Sequence, residues 1–359
     1  MKIIQPELIV DKEKCIANIK AMYNKAKQNN LIFRPHFKTH QSAEIGNWFK
    51  DFGIDKITVS SLDMALYFAE NGWNDITVAF PVNILEIGKI NFLAERIKLN
   101  LLVESLEVVE FLEKSLNHKI NIFIKVDVGY GRTGIAYYQL EHFEKLSILI
   151  SNSKYMQLAG LLTHAGHTYK AQSKEDILKI KDESVERLLN IKTHLNKDIM
   201  LSYGDTPSCS IAENFHGIDE IRPGNFVFYD LMQYQLGICT FNQIACTVAC
   251  PVVSKPAQDR MVIYGGAVHL SKDRVRNNCG TEIFGQVVKL NDNLTWNKQL
   301  ENLSIISLSQ EHGIIMIDEH TSTDINIGDV IGVIPIHSCL SANLFNHYYL
   351  TNGEKIKRI

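Results

Sequence analysis

The chain has 359 residues, of which 45% are hydrophobic and 21% are charged, which is the profile of a globular protein with one large domain and a smaller one. Its 37 basic and 40 acidic residues give a formal net charge of -3, so there is no electrostatic reason to expect binding to nucleic acid or to an anionic membrane. We therefore expect a small-molecule partner.

The first residues and the cysteines bear on the compartment. The stretch MKIIQPELIVDKEKC is interrupted by acidic residues and lacks the long apolar segment of a signal peptide or membrane span. The seven cysteines are scattered and form no CxxC pair, which argues against a disulfide framework and against a structural zinc knuckle. We expect a cytoplasmic protein with reduced thiols.

Short apolar runs alternate with segments of helical length through the first two thirds of the chain. SLDMALYFAENG is one predicted helix, and KEDILKIKDESVERLLNIKTHL is another, with an apolar stripe at Ile177, Ile180, Val185, Leu188 and Leu189. The predicted strands are 31–37, 56–61, 75–80, 99–105, 120–128, 156–164, 200–204 and 220–230. This alternation predicts a TIM-type (β/α)8 barrel; an open doubly wound sheet is the alternative.

The pattern changes after about residue 235, where strands follow one another without helices between them. These strands are QIACTVACPVVSK, RMVIYGG, LSIISLSQEHGIIMI and DVIGVIPIH. The sequence therefore predicts an α/β barrel over residues 11–235 and a C-terminal all-β domain over residues 236–359. Residues 1–10 are a candidate addition to the second domain.

Lys38 directly follows the first predicted strand, LIFRPHF, at the face where (β/α) barrels place their active sites. A lysine at a strand end most often reaches solvent or forms a salt bridge. Here the period-two alternation that buries Ile32 puts Lys38 on the inward side with Arg34 and His36, which favours use as an amine nucleophile. That role needs the unprotonated amine, and we expect nearby positive charge to favour it, from His36, His40 and Arg132.

Two glycine-containing segments lie at the ends of predicted strands seven and eight. SYGDTPS from Ser202 and RPGN from Arg222 offer hydroxyls and backbone amides where barrels commonly hold phosphate; two ordinary turns are the alternative. A lysine that reacts with an aldehyde, next to a phosphate cradle, suggests pyridoxal 5'-phosphate (PLP).

These motifs together carry a family resemblance. RPHFKTH, VDVGYGRTG, GLLTHAGHTY, SYGDTPS and RPGNFVFYD, in this order, resemble the alanine-racemase-type (fold type III) PLP enzymes, and within them the D-serine dehydratase and D-threonine aldolase branch. The resemblance spans almost the whole chain.

The resemblance implies a set of cofactor residues. Lys38 would bind the cofactor covalently, Arg132 would contact its phenolic oxygen, and Arg222 is a candidate partner of the pyridine nitrogen that relatives in the dehydratase branch need not use. The remaining implied contacts are His164 against the ring, Tyr169 near the cofactor, and Gly204, Thr206, Gly224 and Asn225 at the phosphate. Lys38, Tyr169 and His164 are the implied catalytic residues.

A possible metal pair occurs in IPIHSCLSANL. His337 and Cys339 are two apart on a predicted strand, so both would project from one face and reach one ion; an ordinary core pair is the alternative. Two ligands leave coordination positions open, as in catalytic sites. The resemblance implies a divalent metal beside PLP, held by a histidine with cysteine in dehydratases and with aspartate in aldolases. Thiolate prefers zinc, so Cys339 favours a zinc-dependent dehydratase.

The predicted function is a PLP- and metal-dependent lyase that converts D-serine or D-threonine to a 2-oxo acid and ammonia. An aldolase that yields glycine and an aldehyde would use the same residues. A racemase would need a second base, for which Tyr264 is a distant candidate, and a non-catalytic PLP carrier would lack the C-terminal domain. A barrel that binds a phosphorylated metabolite without PLP is the least specific alternative. The resemblance also implies a homodimer.

Overall fold

The computed structural model describes residues 2–277, 279–296, 299–317 and 323–359, without the side chain of Glu301. The described strands are β1 (Glu7–Val10), β2 (Ile32–Phe33), β3 (Lys56–Val59), β4 (Asp75–Pro81), β5 (Lys98–Val103), β6 (Ile120–Asp127), β7 (Ile135–Ala136), β8 (Met156–Thr163), β9 (Met200–Tyr203), β10 (Glu220–Ile221), β11 (Cys246–Ala257), β12 (Arg260–Tyr264), β13 (Val275–Arg276), β14 (Glu282–Ile283), β15 (Gly285–Lys289), β16 (Gln299–Leu308), β17 (His312–Ile317), β18 (Val330–Pro335), β19 (His347–Leu350) and β20 (Lys355–Lys357). The described α-helices are α1 (Lys12–Gln28), α2 (Ala43–Lys50), α3 (Leu62–Glu70), α4 (Ile87–Ala94), α5 (Leu106–Ser115), α6 (Leu140–Ser151), α7 (Lys174–Leu195), α8 (Thr206–Ile211), α9 (Leu231–Gln235), α10 (Ala267–Leu270) and α11 (Ser338–Ala342).

The chain forms two compact units. The barrel unit contains Lys20–Lys38 and Gly46–Gly224, and the β unit contains the described residues up to Ile19, Thr39–Ile45 and those from Asn225 onward. The units interleave along the chain, and the domain boundary near residue 235 stays a prediction. None of the described helices combines the length and the apolar character that a bilayer-spanning segment needs.

The barrel unit is built on parallel strands in the order β2-β10-β9-β8-β6-β5-β4-β3, with β7 paired to β6. The ring is closed by a parallel bridge between His36, just after β2, and Thr58 in β3. Phe37 N–H donates to the Thr58 carbonyl at 2.8 Å, and Thr58 N–H donates to the Pro35 carbonyl at 2.9 Å. These pairings confirm the TIM-type (β/α)8 barrel and exclude the open sheet.

The eight predicted barrel strands are all present, but the first and last are short. β2 and β10 have two residues each, because Pro35 and Pro223 follow closely and a proline has no N–H to donate to a sheet. The prediction that 220–230 is one strand was therefore wrong after Ile221, since Asn225–Val227 is a 3-10 helix.

Residues around β2 alternate between the barrel interior and the helix layer. Phe37 is fully buried, with its ring centroid 4.9 Å from that of Phe49, 5.1 Å from Phe68 and 5.0 Å from Trp73. Arg34 has the opposite parity and reaches carboxylates on two other strands. The expectation that Ile32 is buried was wrong, because Ile32 is only half-buried.

The barrel interior contains a buried ionic network. Arg34 Nη1 lies 2.6 Å from Asp75 Oδ1, and Arg34 Nε lies 2.6 Å from Glu220 Oε2. Ser202 Oγ donates to Glu220 at 2.6 Å and accepts from Arg222 Nε at 2.6 Å. The network joins β2, β4, β9 and β10, so these polar groups hold the strands in register as well as satisfying one another.

The two predicted helices are confirmed as α3 and α7. Both begin at a serine N-cap, where Ser61 accepts from Met64 N–H and Ser173 accepts from Asp176 N–H. Along α7 the buried residues include Ile177, Val185 and Leu188. Leu189 was wrongly placed on the buried stripe: it is 38% exposed, because it lies about 100° around the helix from Leu188.

The β unit contains an antiparallel sheet, which confirms the predicted C-terminal all-β domain. The sheet order is β12-β17-β16-β15-β18-β11-β1-β19-β20, and an additional β11–β12 pairing closes the first six strands into a ring. β1 pairs antiparallel with β11 and parallel with β19, so Glu7–Val10 belong to this sheet.

The buried cluster around Phe37 gives a stability prediction. Phe37→Ala should lower the free energy of unfolding by about 3–5 kcal/mol, because it leaves a cavity among three aromatic rings. Phe80→Ala is the matched control, since Phe80 is 59% exposed and should cost no more than about 0.5 kcal/mol. Urea unfolding followed by circular dichroism measures both, and equal losses would contradict the packing described above.

Candidate active site

At the carboxyl ends of the barrel strands, two predicted glycines lie where the backbone comes very close to its neighbours. A Cβ on Gly204 would lie 3.1 Å from the backbone of Arg222, and one on Gly224 would lie 2.7 Å from the His36 carbonyl oxygen. Only glycine fits such close approaches without moving the backbone. The structure thus brings the ends of β2, β9 and β10 together around these two predicted residues.

Thr206 begins α8 directly after the Asp205 N-cap. Its hydroxyl oxygen is buried and has no hydrogen-bond partner among the described residues. Its backbone N–H donates to the Tyr169 hydroxyl at 3.4 Å. A buried hydroxyl without a partner is costly, so this group is suited to an acceptor supplied by a ligand.

His164 follows β8 and is held in one orientation. Its Nδ1 donates to the Gly204 carbonyl at 2.7 Å, which leaves Nε2 as the acceptor nitrogen. Burial first, and then Lys38, Lys125 and Arg132, lower its pKa well below the usual value. His164 is therefore neutral near pH 7, and its ring lies 6.4 Å from that of Tyr169 between centroids.

Arg132 lies on the loop after β6 together with Tyr130. The Arg132 guanidinium is 5.3 Å from the Tyr130 ring centroid, and the Tyr130 ring lies edge-on to His164 at 6.0 Å. A Cβ on Gly166 would lie 2.5 Å from the Tyr130 ring. The structure therefore groups Arg132 with His164 through Tyr130, a residue the sequence analysis did not select.

The Arg222 side chain is buried, and its Nε and Nη2 atoms donate hydrogen bonds. Nε donates to Ser202 Oγ at 2.6 Å, and Nη2 donates to the Thr163 and Ser202 carbonyls. Burial lowers its pKa to about 10, so it stays charged at pH 7. Nη1 makes no hydrogen bond with a described residue, which leaves a donor for a ligand atom.

The prediction that His36 and His40 supply positive charge was wrong. Burial, followed by Lys38 and Arg222, lowers the pKa of His36 well below the usual value, and burial lowers that of His40 to about 3. Both rings also accept from backbone N–H groups, His36 Nδ1 from Lys38 at 3.3 Å and His40 Nδ1 from Ser42 at 3.2 Å. Neither histidine therefore supplies a positive charge near pH 7.

Lys125 is a further buried cation that the sequence analysis missed. It lies on β6 with 5% exposure, and burial followed by Arg222 and Arg132 lowers its pKa to about 7. Its Nζ donates to the Val126 carbonyl at 3.3 Å. The run INIFIKVD does contain the signal, because a lysine within an otherwise apolar parallel strand is exceptional.

A second cluster forms in the β unit around His337 and Cys339. The prediction that both lie on one strand was wrong: β18 ends at Pro335, His337 is the N-cap of α11, and Cys339 is in the first turn of that helix. The two side chains still meet, through a hydrogen bond between His337 and the Cys339 sulfur.

Asp230 organises this cluster and was missed by the sequence analysis. His337 Nδ1 donates to Asp230 Oδ2 at 3.1 Å, and Ser338 N–H donates to the same oxygen at 3.0 Å. Burial lowers the pKa of His337, but Cys339 and Asp230 outweigh this and hold it well above the usual value. The DLMQ pattern, an N-cap aspartate with glutamine three residues later, was the available signal.

Asn225 and Thr39 complete the cluster. Asn225 Nδ2 donates to Asp230 at 2.7 Å and to Ser338 Oγ at 2.9 Å, and Thr39 Oγ1 lies 3.1 Å from Cys339 Sγ. The structure thus groups the Asn225 side chain with the histidine–cysteine pair, so a phosphate contact from Asn225 would come from its backbone N–H.

The donor set suits a divalent cation with open coordination positions. Asp230 engages His337 Nδ1, so Nε2 is the nitrogen that would bind a metal, as in carboxylate–histidine–metal arrangements. Among the described residues, no group of three or more histidine, cysteine or acidic side chains could hold an ion. The pair would therefore need ligands other than the described side chains to complete the coordination.

Comparison with known proteins identifies the family. Residues 10–231 match the family model "Alanine racemase, N-terminal domain", and residues 245–351 match the model "Putative serine dehydratase domain". The chain belongs to the fold type III, alanine-racemase-like family of PLP enzymes.

Three relatives span nearly the whole chain. The D-serine dehydratase of Dictyostelium discoideum is 31% identical over 93% of this chain and 89% of its own. The D-threo-3-hydroxyaspartate dehydratase of Delftia sp. is 24% identical over 96% and 93%, and the D-threonine aldolase of Arthrobacter sp. is 22% identical over 94% and 86%.

A solved structure of the Delftia enzyme has the same fold, with a TM-score of 0.91 at 23% identity over 100% of this chain and 98% of that one. Two further structures of that enzyme are a histidine-to-alanine variant and a cysteine-to-alanine variant at positions two apart, and the latter is titled as the metal-free form.

The barrel-end residues fit the PLP of this family. The unpartnered Thr206 hydroxyl and the close approaches at Gly204 and Gly224 suit a phosphate group, and the open Nη1 of Arg222 suits a ring nitrogen. The neutral His164 ring, fixed by Gly204, presents a flat face of the kind that packs against a pyridine.

The lowered pKa of Lys125 predicts a pH dependence of stability. Between about pH 7 and pH 10 the unfolded chain binds more protons at this lysine than the folded chain, so the free energy of unfolding rises with pH. Lys125→Met should remove this rise, which amounts to about 4 kcal/mol across the window. Urea unfolding at a series of pH values measures it. Lys179→Met, at an exposed position on α7, is the control, and parallel profiles for wild type and Lys125→Met would contradict the prediction.

Proposed function

We propose that the protein is a PLP- and metal-dependent lyase for D-β-hydroxy amino acids, acting as a D-serine/D-threonine dehydratase that releases a 2-oxo acid and ammonia. The observation that carries this proposal is His337, held through Nδ1 by Asp230 and in contact with the Cys339 thiol, in a chain of the fold type III PLP family.

The relatives support the dehydratase reading. The two with the higher identities are named as dehydratases, and the D-threonine aldolase is less similar. The altered histidine and cysteine of the Delftia enzyme have the spacing of His337 and Cys339, and the cysteine change there accompanies a metal-free form. The support for a metal on this pair therefore comes from both the donor geometry and the relative.

Each of the proposed residues has a distinct role. PLP, held by Lys38, Arg132, Arg222 and the phosphate residues, supplies an electron sink for the charge left at the substrate Cα. The Lys38 amine would be the base that takes up the Cα proton. His164, neutral and fixed by the Gly204 carbonyl, orients the ring without adding charge. Tyr169 is positioned by the Thr206 N–H.

The proposed cation is Zn²⁺, because a thiolate ligand prefers zinc over harder ions. Bound to His337 and Cys339, it supplies Lewis-acid assistance to the departing hydroxyl. Asp230 keeps His337 in the tautomer that directs Nε2 to the ion, and Thr39 contacts the Cys339 sulfur.

A racemase is less well supported by the residues present. Tyr264, the distant candidate for a second base, ends β12 and packs edge-on against His269 with 5.7 Å between ring centroids.

We also propose a homodimer in a reducing compartment, the cytoplasm. All seven cysteines are free, and six of them are buried, which supports reduced thiols. Large apolar side chains are exposed on the barrel unit, among them Leu85 at 88% and Tyr138 at 72%, and such residues commonly become buried in an oligomer.

Product identification tests the function. Purified, PLP-loaded enzyme should convert D-serine to pyruvate and D-threonine to 2-oxobutanoate, each with one ammonia. Glycine and acetaldehyde from D-threonine would instead establish the aldolase. Lys38→Ala should lower kcat for every substrate by a factor on the order of 10³ or more and abolish the absorbance band of the imine between the lysine and the cofactor aldehyde.

The metal role is tested separately with two cysteine variants. Cys339→Ala should lose bound zinc and most of its turnover while keeping PLP, because the thiolate is one of only two proposed protein ligands. Cys279→Ala is the control, since Cys279 is exposed and free. Metal analysis and cofactor absorbance are read on the same samples. Full zinc content in Cys339→Ala would refute the proposed ligand set.

A further inference from the structure

A cavity of about 720 Å³ lies at the amino-terminal ends of barrel strands. It is lined by Lys98, Ile120 and Met156, the first residues of β5, β6 and β8, and by Ile199 just before β9. The predicted cofactor residues follow the carboxyl ends of the strands. The cavity is therefore at the opposite end of the barrel from them.

The lining of this cavity is strongly basic for a protein of net charge -3. Lys98, Lys119, Lys154 and Lys197 line it, and Asp198 is the one acidic residue in the lining. Several cations around one concave surface raise the local concentration of anions. The charge distribution thus favours a ligand with more than one negative charge.

Most of these lysines form no ion pair with a carboxylate of the described residues. Among the described residues, Lys98 forms a 3.4 Å pair with Asp75, whose carboxylate is already bound at 2.6 Å by Arg34. Lys197 Nζ donates to Ser151 Oγ at 2.7 Å.

Lys154 Nζ lies 4.8 Å from the Tyr155 ring centroid. The nearby acidic group is Glu113, which accepts from the Ser153 hydroxyl and contributes to the raised pKa of Lys154 after Tyr155. Lys119 forms no ion pair with a described residue. Within the described part of the chain, three of the four cations therefore lack a carboxylate within ion-pair distance.

We propose that this cavity binds a small anion with a phosphate chain, at a site separate from the candidate active site. Its volume lies in the usual range for small-molecule sites, which is about 300–1,000 Å³, and exceeds what one phosphate needs. Lysine ammonium groups bind phosphate as point charges, and the Ser151 and Asn121 side chains of the lining add neutral donors. Several separated lysines match several phosphate oxygens better than they match a single carboxylate.

The test is isothermal titration calorimetry of the PLP-saturated enzyme, without substrate, using inorganic pyrophosphate and, in a parallel arm, ATP. Saturation with PLP keeps both probes out of the cofactor phosphate site. Lys119→Gln/Lys154→Gln should weaken binding by about tenfold or more, which corresponds to removing charge-assisted contacts. Tighter binding of ATP than of pyrophosphate would identify a nucleotide, and the reverse would identify the free anion.

The control is Lys20→Gln/Lys179→Gln, which removes the same charge from exposed helix positions of the barrel unit. It should leave both affinities unchanged. No binding of either probe to the wild type, or equal weakening in both double variants, would overturn the proposal. Because substrate takes no part in the measurement, the result is independent of the proposed lyase activity.

Discussion

The structure of the barrel unit depends on buried charges that satisfy one another inside the strand ring. Arg34 lies between Asp75 and Glu220, Ser202 links Glu220 to Arg222, and each of these groups would be costly to bury alone. Arg34 directly follows the short strand β2, and Glu220 begins the short strand β10, so the network connects the two barrel strands with the fewest residues. The same network fixes Arg222, so this proposed cofactor contact is positioned by the groups that also satisfy Arg34.

Environment divides the histidines into two groups. His40 is fully buried, and His36 and His164 are partly buried. No carboxylate is among the causes of their lowered pKa values, and they are neutral acceptors or orienting groups near pH 7. His337 is partly buried, but the Cys339 sulfur and the Asp230 carboxylate stabilise its charged form. The three neutral histidines are suited to contact with a neutral ring. His337 is suited to release its proton and bind a metal ion instead.

The cluster around His337 and Cys339 is assembled from segments that are far apart in the sequence. Hydrogen bonds connect five residues that span about 300 positions of the chain: Thr39, Asn225, Asp230, His337 and Cys339. Two of them, Thr39 and Asn225, directly follow Lys38 and Gly224, where the chain leaves the barrel unit for the β unit. Two residues that contact the cluster around the candidate metal pair are therefore covalent neighbours of candidate cofactor residues.

The sequence by itself determined the barrel, the all-β unit and the helices α3 and α7, because strand and helix periodicities are local and the barrel strands are almost continuously apolar. The resemblance of its motifs to a known family also identified Gly204, Gly224, His164 and Thr206 as candidate site residues. Only the tertiary structure decided the neutral state of His36 and His40, the burial of Lys125 and the central position of Asp230. It also decided the helical setting of His337 and Cys339. Those properties depend on desolvation and on partners distant in the chain, neither of which any local pattern of residues records.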